Sequence, residues 1–551
     1  MGGKQEYLKL ATTGHSIQQD TRYHRTLETT GHLKGKLLIS MLCAMLAACS
    51  SRPTAVPTAF TPTADSADVY PDYSGVTVPP NIAPLNFMVA DAQATEYVAT
   101  IGDLVCGATA DGKTDIDTTA WRQLLGAARG SDIAVTIYAH RADGWVQHPP
   151  FAIHVATDDI DPYLTYRLIE PGYELYRQLG IYQRDLTSFA ETPVYENNRQ
   201  YDDDENHCVN CHTFQAYDSQ RTLFHVRAAH GGTVVTSGTE ARKVAIRHDS
   251  ILGAGVYPAW HPQLPLVAFS TNKTGQVFHM LHAEKIEVLD EASDLILYDA
   301  EANTVCNIMR TQSTLETFPT WSPDGKRLYY CAAAMPASLP ADHNAMDLAL
   351  RYDSLLYNIW SMPFDAATRR FGEPRLEVDA AAMGRSASVP RLSPDGRYLL
   401  FTLGDYGQFH IWHKSADLWL KDLAADSAAT PATGDAPAAG LRPLDLNSPD
   451  APDSYHTWSS NGRWIAFASR RDDGDFTRIY IAHFDSSGRT HKPFLLPQRD
   501  PEYNTLLLKS YNVPELARNP VRLTPRQLQH TVLDTEAQTA TYIPHPPTEN
   551  R

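Results

Sequence analysis

The chain reads as all-β: a β-propeller of five to seven blades, entered through a small β-sandwich of the immunoglobulin type and a loop-rich linker. Three observations predict this. A strand–turn–strand unit recurs four times between residues 258 and 468, and in-line repetition of such units marks propellers. Short strands separated by turn-rich pieces fill residues 86–156, the pattern of a small all-β domain. The length of 551 residues, with 43% hydrophobic and 10% aromatic content, allows two or more domains that each bury a core.

The elements follow in order. Residues 37–48 form a short apolar run behind Lys34 and Lys36. The run is too short to span a bilayer but fits the core of a secretory signal. It ends at Leu46-Ala47-Ala48-Cys49, which resembles the bacterial lipobox. That resemblance implies lipidation of Cys49, a signal over 1–49, and, with Ser50 following, sorting to the periplasmic face of the outer membrane. The polar stretch 1–31 is long for such a signal and reads as lying upstream of the true start. Residues 50–68, rich in Pro, Thr, Ala and Ser, read as a flexible tether.

Residues 69–169 carry the predicted sandwich. Asn86–Val89, Ala134–Ala139 and Phe151–Ala156 are its clearest strands, and Thr118–Ala128 has apolar residues at helical spacing. Residues 170–220 read as a linker. Within Tyr163–Gln200 lie Tyr163, Tyr166, Tyr173, Arg167, Arg177 and Arg184, a connector packed by its own rings or a cover for an anionic cofactor, since Arg pairs well with carboxylates.

Inside that linker stands His207-Cys208-Val209-Asn210-Cys211-His212. Cys-x-x-Cys-His is the pattern by which a c-type haem is attached: each thiol adds to a vinyl group, and the histidine becomes the proximal iron ligand. The motif therefore predicts one covalent haem c, held by Cys208 and Cys211 and ligated by His212. A zinc site and a thioredoxin-like thiol pair stay open as rivals, although no second Cys-x-x-Cys is present. Covalent haem attachment belongs outside the cytoplasmic membrane, where the signal would take the chain. His225 and Met280 are the residues considered for a distal iron ligand.

The repeat follows. Pro258-Ala259-Trp260-His261-Pro262, Pro319-Thr320-Trp321-Ser322-Pro323-Asp324-Gly325, Pro390-Arg391-Leu392-Ser393-Pro394-Asp395-Gly396 and His456-Thr457-Trp458-Ser459-Ser460-Asn461-Gly462 each lead into an apolar strand. Pro presets φ at the second turn position and Gly takes the left-handed last one. The hairpin resembles that of the TolB-like, WD-type propeller family over about residues 220–500. A propeller over 221–500 is expected, with 501–551 as a tail packing on or closing it. Lipid-anchored TolB-like proteins with a Cys-x-x-Cys-His segment ahead of the propeller are the narrower likeness, which implies an architecture rather than a reaction.

A net charge of −17 argues against nucleic acid, which demands a basic footprint. No Gly-x-Ser-x-Gly elbow or phosphate-cradling loop occurs. His410 and His413, read as strand residues, would face opposite sides and share no ion, and Asp472-Asp473 reads as a solvated loop tip. Cys306–Cys331 is the disulfide to test. The expectation is a lipid-anchored envelope protein whose propeller binds envelope proteins and whose linker carries haem. A mono-haem electron-transfer protein and a haem enzyme with an open iron site are the alternatives.

Overall fold

The computed structural model describes residues 55–544, except 110, 171–177, 200–205, 280–283, 285, 341–343 and 426–439. Cys49 and Met280 lie outside the described residues. Among the described residues no helix is long and apolar enough to cross a membrane.

Six four-stranded antiparallel blades form a closed propeller. Blades 3 to 6 begin with the strands Gly255–Trp260, Thr314–Trp321, Ser386–Leu392 and Asp453–Trp458. These are the first strands of the four hairpins legible in the sequence. Blade 2 opens with His207–Gln215 and continues through Asp218–Ala228, Gly232–Ser237 and Glu240–Ala245. Blade 1 takes Tyr163–Ile169, Gly180–Asp185 and Glu191–Glu196, and its innermost strand is Ser510–Ala517 from the far end of the chain. That strand neighbours the innermost strands of blades 6 and 2, so the carboxy-terminal segment closes the ring. Closure removes the open sheet edge that blade 1 would otherwise expose. Two further pieces, Gln538–Thr539 and Thr541–Tyr542, add parallel outer edges to blades 2 and 3.

The expected linker is therefore not a linker. Tyr163–Ile169, Gly180–Asp185, Glu191–Glu196 and His207–Gln215 are blade strands, because their apolar residues pack between neighbouring sheets. Ile181, Val194, Val209, Phe224 and Val234 share one buried cluster. The propeller spans 163–517 rather than 221–500.

In place of the two facing sheets of an immunoglobulin-like sandwich, residues 55–160 build a seven-stranded sheet, a two-stranded ribbon (Val69–Tyr70 with Met88–Val89) and a helix, Thr118–Ala127. Asp117 caps that helix by accepting a hydrogen bond from Ala120 N (2.8 Å). Trp121 and Leu125 bury its inner face in the sheet's own core. The tether enters this sheet as well, with Thr61–Pro62 pairing alongside Val146–Gln147. The core runs on into Trp464, Ile479 and Ile481 of blade 6. At the junction, Asp161 accepts from Ser460 N and Oγ, both at 2.6 Å.

Three of the four repeated turns are fixed in the same way, and in the fourth His261 Nδ1 accepts from Gln263 N and Leu264 N (3.1 and 3.0 Å). Ser322, Ser393 and Ser459 donate to Asp324, Asp395 and Asn461 at 2.5–2.6 Å. Gly325, Gly396 and Gly462 take φ of 71, 73 and 67°, a region that L side chains rarely adopt. Cys306 and Cys331 are free thiols, not a disulfide. Cys331 is fully buried on the second strand of blade 4, opposite Thr317 and Ile359, whereas Cys306 lies on the outermost long strand of blade 3 opposite Leu297.

Candidate functional site at the propeller axis

Each innermost strand carries one extra residue relative to its partner. The register slips between Asn210 and Thr213, Val256 and Ala259, Thr317 and Thr320, Ser388 and Arg391, and Ser454 and His456, and likewise where Thr165/Arg167 pair with the carboxy-terminal strand. In every blade a residue at the bulge takes positive φ: Cys211 (55°), Tyr257 (48°), Phe318 (49°), Val389 (51°), Tyr455 (40°) and Val513 (49°). A left-handed residue at a β-bulge bends the strand and re-aims its side chains. Six such bulges at one level build the wall of an axial cavity of about 400 Å³, lined by all six residues.

The bulge also decides what the Cys-x-x-Cys-His segment does. On an unbroken strand, residues three apart face opposite sides. The extra residue in blade 2 brings Cys208 and Cys211 to the same cavity wall. Cys208 is buried and its thiol pKa is raised, chiefly by burial and partly by Cys211, against the lowering fields of Arg167 and Arg227.

Arg167, Arg227 and Arg391 line this cavity too, and none of its described lining residues is acidic. In a chain of net charge −17, three arginines around one cavity form a local reversal of sign. Tyr257, Phe318, Phe409 and Tyr455 supply flat walls. One side is covered by the long hairpin of blade 3, Leu266–Phe278 with Ile286–Asp299, whose Thr274, Gly275, Gln276 and Val288 reach over the cavity. That arm is tied down at Glu287, which accepts from Tyr406 OH (2.8 Å) and lies 2.8 Å from His413 Nε2, with all but Tyr406 buried.

His212 lines the same cavity. It follows the bulge residue in blade 2, where Pro258, Pro319, Pro390 and Pro514 follow it in four other blades and His456 in the sixth. His456 turns toward the preceding blade, with Nε2 3.3 Å from Leu400 O. His212 is 3% exposed and stands near Thr165 and Val513 of blade 1, but unlike His456 it has neither ring nitrogen in a hydrogen bond among the described residues. Burial lowers its pKa to about 4, so the ring is neutral.

His225 lies on the second strand of blade 2, outside the cavity lining, with Nδ1 3.1 Å from Thr233 Oγ1. Burial lowers it to about 3. The structure brings Cys208, Cys211 and His212 onto one strand and leaves His225 apart.

His410 and His413 sit on a 3-10 turn rather than a strand, both buried, their ring centroids 5.7 Å apart. Their partners are Ser388 (2.8 Å) and Glu287, which makes them packing groups. Among the described residues no three His, Cys, Asp or Glu side chains converge as a metal site requires. Asp472 is a partner rather than a loop tip and accepts from Tyr70 OH at 2.8 Å. Sequence reading missed Arg227 and Arg391, because an arginine on a strand carries no signal until the ring brings several together. The available signal was the shared slot in Cys211-His212-Thr213, Phe318-Pro319-Thr320 and Tyr455-His456-Thr457.

No family model and no curated protein matches this chain. Among solved structures, oligogalacturonate lyase in complex with manganese aligns over 65% of this chain and 87% of its own, at 11% identity and TM-score 0.27. The tricorn protease aligns over 77% and 49%, at 10% and 0.27. Prolyl oligopeptidase B from Galerina marginata aligns over 65% and 42%, at 9% and 0.32.

Proposed function

We propose that the axial cavity of the propeller holds one haem c, joined through thioether bonds at Cys208 and Cys211, and that the protein is a redox component of the bacterial envelope. The observation that carries this reading is that both thiols open on one cavity with three guanidiniums, aromatic walls and no described acid. A porphyrin is a flat apolar ring with two carboxylates, so the wall chemistry matches it. Arg167 and Arg227 suit the carboxylates, and Tyr257, Phe318 and Tyr455 suit the ring. Each thiol would add its S–H across one vinyl C=C, forming an S–C bond and leaving the hydrogen on the neighbouring carbon. The haem supplies one-electron chemistry when bound. His212 would serve as the proximal iron ligand: it lines the same cavity, and both of its ring nitrogens are buried without a hydrogen-bond partner among the described residues. No distal ligand is assigned.

The rest of the reading comes from sequence. The signal and Cys49 support export and a lipid anchor, the repeated hairpin supports kinship with TolB-like propellers, and the outer blade faces are where envelope proteins would dock. A haem lying inside the ring makes the propeller a container for the cofactor, which favours electron transfer over a haem segment that reports docking.

The test is a pyridine haemochrome spectrum and a denaturing-gel haem stain of protein co-expressed with cytochrome c maturation genes. Covalent haem is expected, and its loss in the Cys208→Ser/Cys211→Ser double variant. Absence of covalent porphyrin from folded wild-type protein refutes the proposal. The second reading, a redox-active dithiol, is favoured by the same shared wall. It would appear as a reversible loss of two hydrogens from haem-free protein by intact mass.

A further inference from the structure

A second cavity, of about 270 Å³, lies on the other side of the bulges. Pro258 and Arg391 line both cavities. Two residues beyond each left-handed residue, the six inner strands present Thr213, Ala259, Thr320, Arg391, Thr457 and Glu515, and all six line this second cavity. Four of the six positions are Thr or Ala. The symmetry of the ring demands nothing larger there, so a guanidinium and a carboxylate at the remaining two are departures that packing does not explain.

Arg391 is poorly satisfied. Its one hydrogen bond among the described residues runs from Nη1 to Pro390 O at 3.3 Å, and no described carboxylate lies within salt-bridge distance. Blade 6 with Thr457 stands between it and Glu515. Desolvation lowers the Arg391 pKa, with Glu515, Tyr217 and Cys331 opposing. A guanidinium has five donors in a planar fork matched to a carboxylate, and Arg391 lines the cavity with a single donor bonded among the described residues. Around it the walls are apolar: Trp260, Trp321, Trp458, Phe214, Pro262 and Pro323. An apolar pocket with one or two placed polar groups is the usual form of a small-molecule site.

We propose that this cavity binds a small organic monocarboxylate, its carboxylate on the Arg391 fork and its apolar body against the tryptophan and proline rings. Glu515 sets the pH range of binding. Its Oε1 accepts from Thr213 Oγ1 and Phe214 N, both at 3.0 Å, and burial pushes its pKa up to about 7 against those bonds and Arg391. The other groups around it are Tyr217, raised by burial, with Asp161 and Arg518 beyond it, and His456, which burial keeps neutral with a pKa of about 3. Below about pH 7 Glu515 is neutral and the cavity carries the Arg391 charge alone. Above it a carboxylate competes with the ligand. The site does not require haem.

Benzoate is the probe, followed by titration calorimetry and tryptophan fluorescence on the mature protein. Binding is expected to weaken about tenfold from pH 6 to pH 8, the span over which a group titrating near 7 becomes about nine-tenths ionised. Glu515→Gln should bind equally at both. Arg391→Gln should lose binding. Should that variant fail to fold, Thr457→Phe fills the space between Arg391 and Glu515 and should block binding while leaving the melting temperature near wild type. Competition by chloride at equal concentration would reassign the site to simple inorganic anions and overturn the organic-ligand claim. No benzoate binding by wild type that melts normally, or unchanged binding by a folded Arg391→Gln, refutes the proposal outright. The Cys208→Ser/Cys211→Ser protein should bind benzoate as wild type does, so failure of the haem reading and failure of this one give different results.

Discussion

The inter-blade histidine slot makes a quantitative demand on stability. His456 is 2% exposed between blades 5 and 6, and burial lowers its pKa from an ordinary 6.5 to about 3. A group protonated less readily in the folded state than in the unfolded one favours unfolding as pH falls. Its contribution is intact above about pH 6.5 and shrinks below it, down to about pH 3. From pH 7 to pH 5 the unfolded imidazole gains its proton while the folded one does not, a loss of about 2 kcal/mol (1.5 pH units at 1.36 kcal/mol each). The bulk pH profile will hide this. Asp290, Glu316 and Glu515, each raised to about 7 chiefly by burial, take up protons in the folded state over the same interval and act in the opposite direction. The difference between wild type and His456→Gln isolates the histidine. Urea-unfolding midpoints at pH 7, 6 and 5 should show the variant less stable at pH 7, through lost packing and the bond to Leu400 O, with a gap that narrows by about 2 kcal/mol at pH 5. A gap that stays constant with pH would mean that the His456 ring titrates in the folded state as it does in water, and would refute the buried neutral slot.

Three other perturbations follow from the same geometry. Truncation after Lys509 removes Ser510–Ala517 and opens the ring between blades 6 and 2, so limited proteolysis should cut blade 1 within Tyr163–Glu196 far faster than in the whole chain. Gly325→Ala should destabilise by about 1–3 kcal/mol in thermal melts, because a Cβ there would stand 2.4 Å from the His261 ring at a φ of +71°. Glu287→Gln should loosen the hairpin over the thiol-side cavity by weakening its hold on His413 and Tyr406. Cys211 in haem-free protein should then alkylate several-fold faster, while the buried Cys331 does not change.

The propeller was legible where its turns are stereotyped. Ser-Pro-Asp-Gly fixes a hairpin by local chemistry, with a serine-to-aspartate bond and a left-handed glycine, so blades 4 and 5 could be read directly, and blades 3 and 6 through the variants His261-Pro262-Gln263-Leu264 and Ser459-Ser460-Asn461-Gly462. Blade 1 could not, because Tyr163–Ile169 and Ser510–Ala517 lie more than three hundred residues apart and pair only once the ring exists. Tyr166 and Tyr511 pack edge to face across that seam, which no local window can anticipate. Blade 2 escaped for another reason. Its inner strand carries Cys-x-x-Cys-His, and the acidic run 202–205 before it suggested a loop. The arginines of the thiol-side cavity come from blades 1, 2 and 5, so their convergence is a property of the closed ring rather than of any segment.

The innermost strand of blade 2 shows how a repeat and a chemical motif share residues. Its Cys211-His212-Thr213-Phe214 stands where the other blades have Tyr257-Pro258-Ala259-Trp260, Phe318-Pro319-Thr320-Trp321 and Tyr455-His456-Thr457-Trp458. Architecture gives His212 a precedent, since a neutral histidine also follows the bulge in blade 6 with no cysteine near it in sequence, but it leaves both His212 ring nitrogens unbonded among the described residues. It does not account for Cys211. The other five bulge positions hold Tyr, Phe or Val, which fill the axis, and two of these are β-branched residues held at φ near +50°, a strained conformation that only a well-determined bulge sustains. Replacing that bulk by cysteine opens space at the axis and places sulfur beside it. Cys208 repeats the choice one bulge away, on the same wall. The two thiols, with the unbonded His212 ring on the same cavity, are therefore the part of the motif that blade packing leaves unexplained, and the chemistry of the axis should be sought through them first.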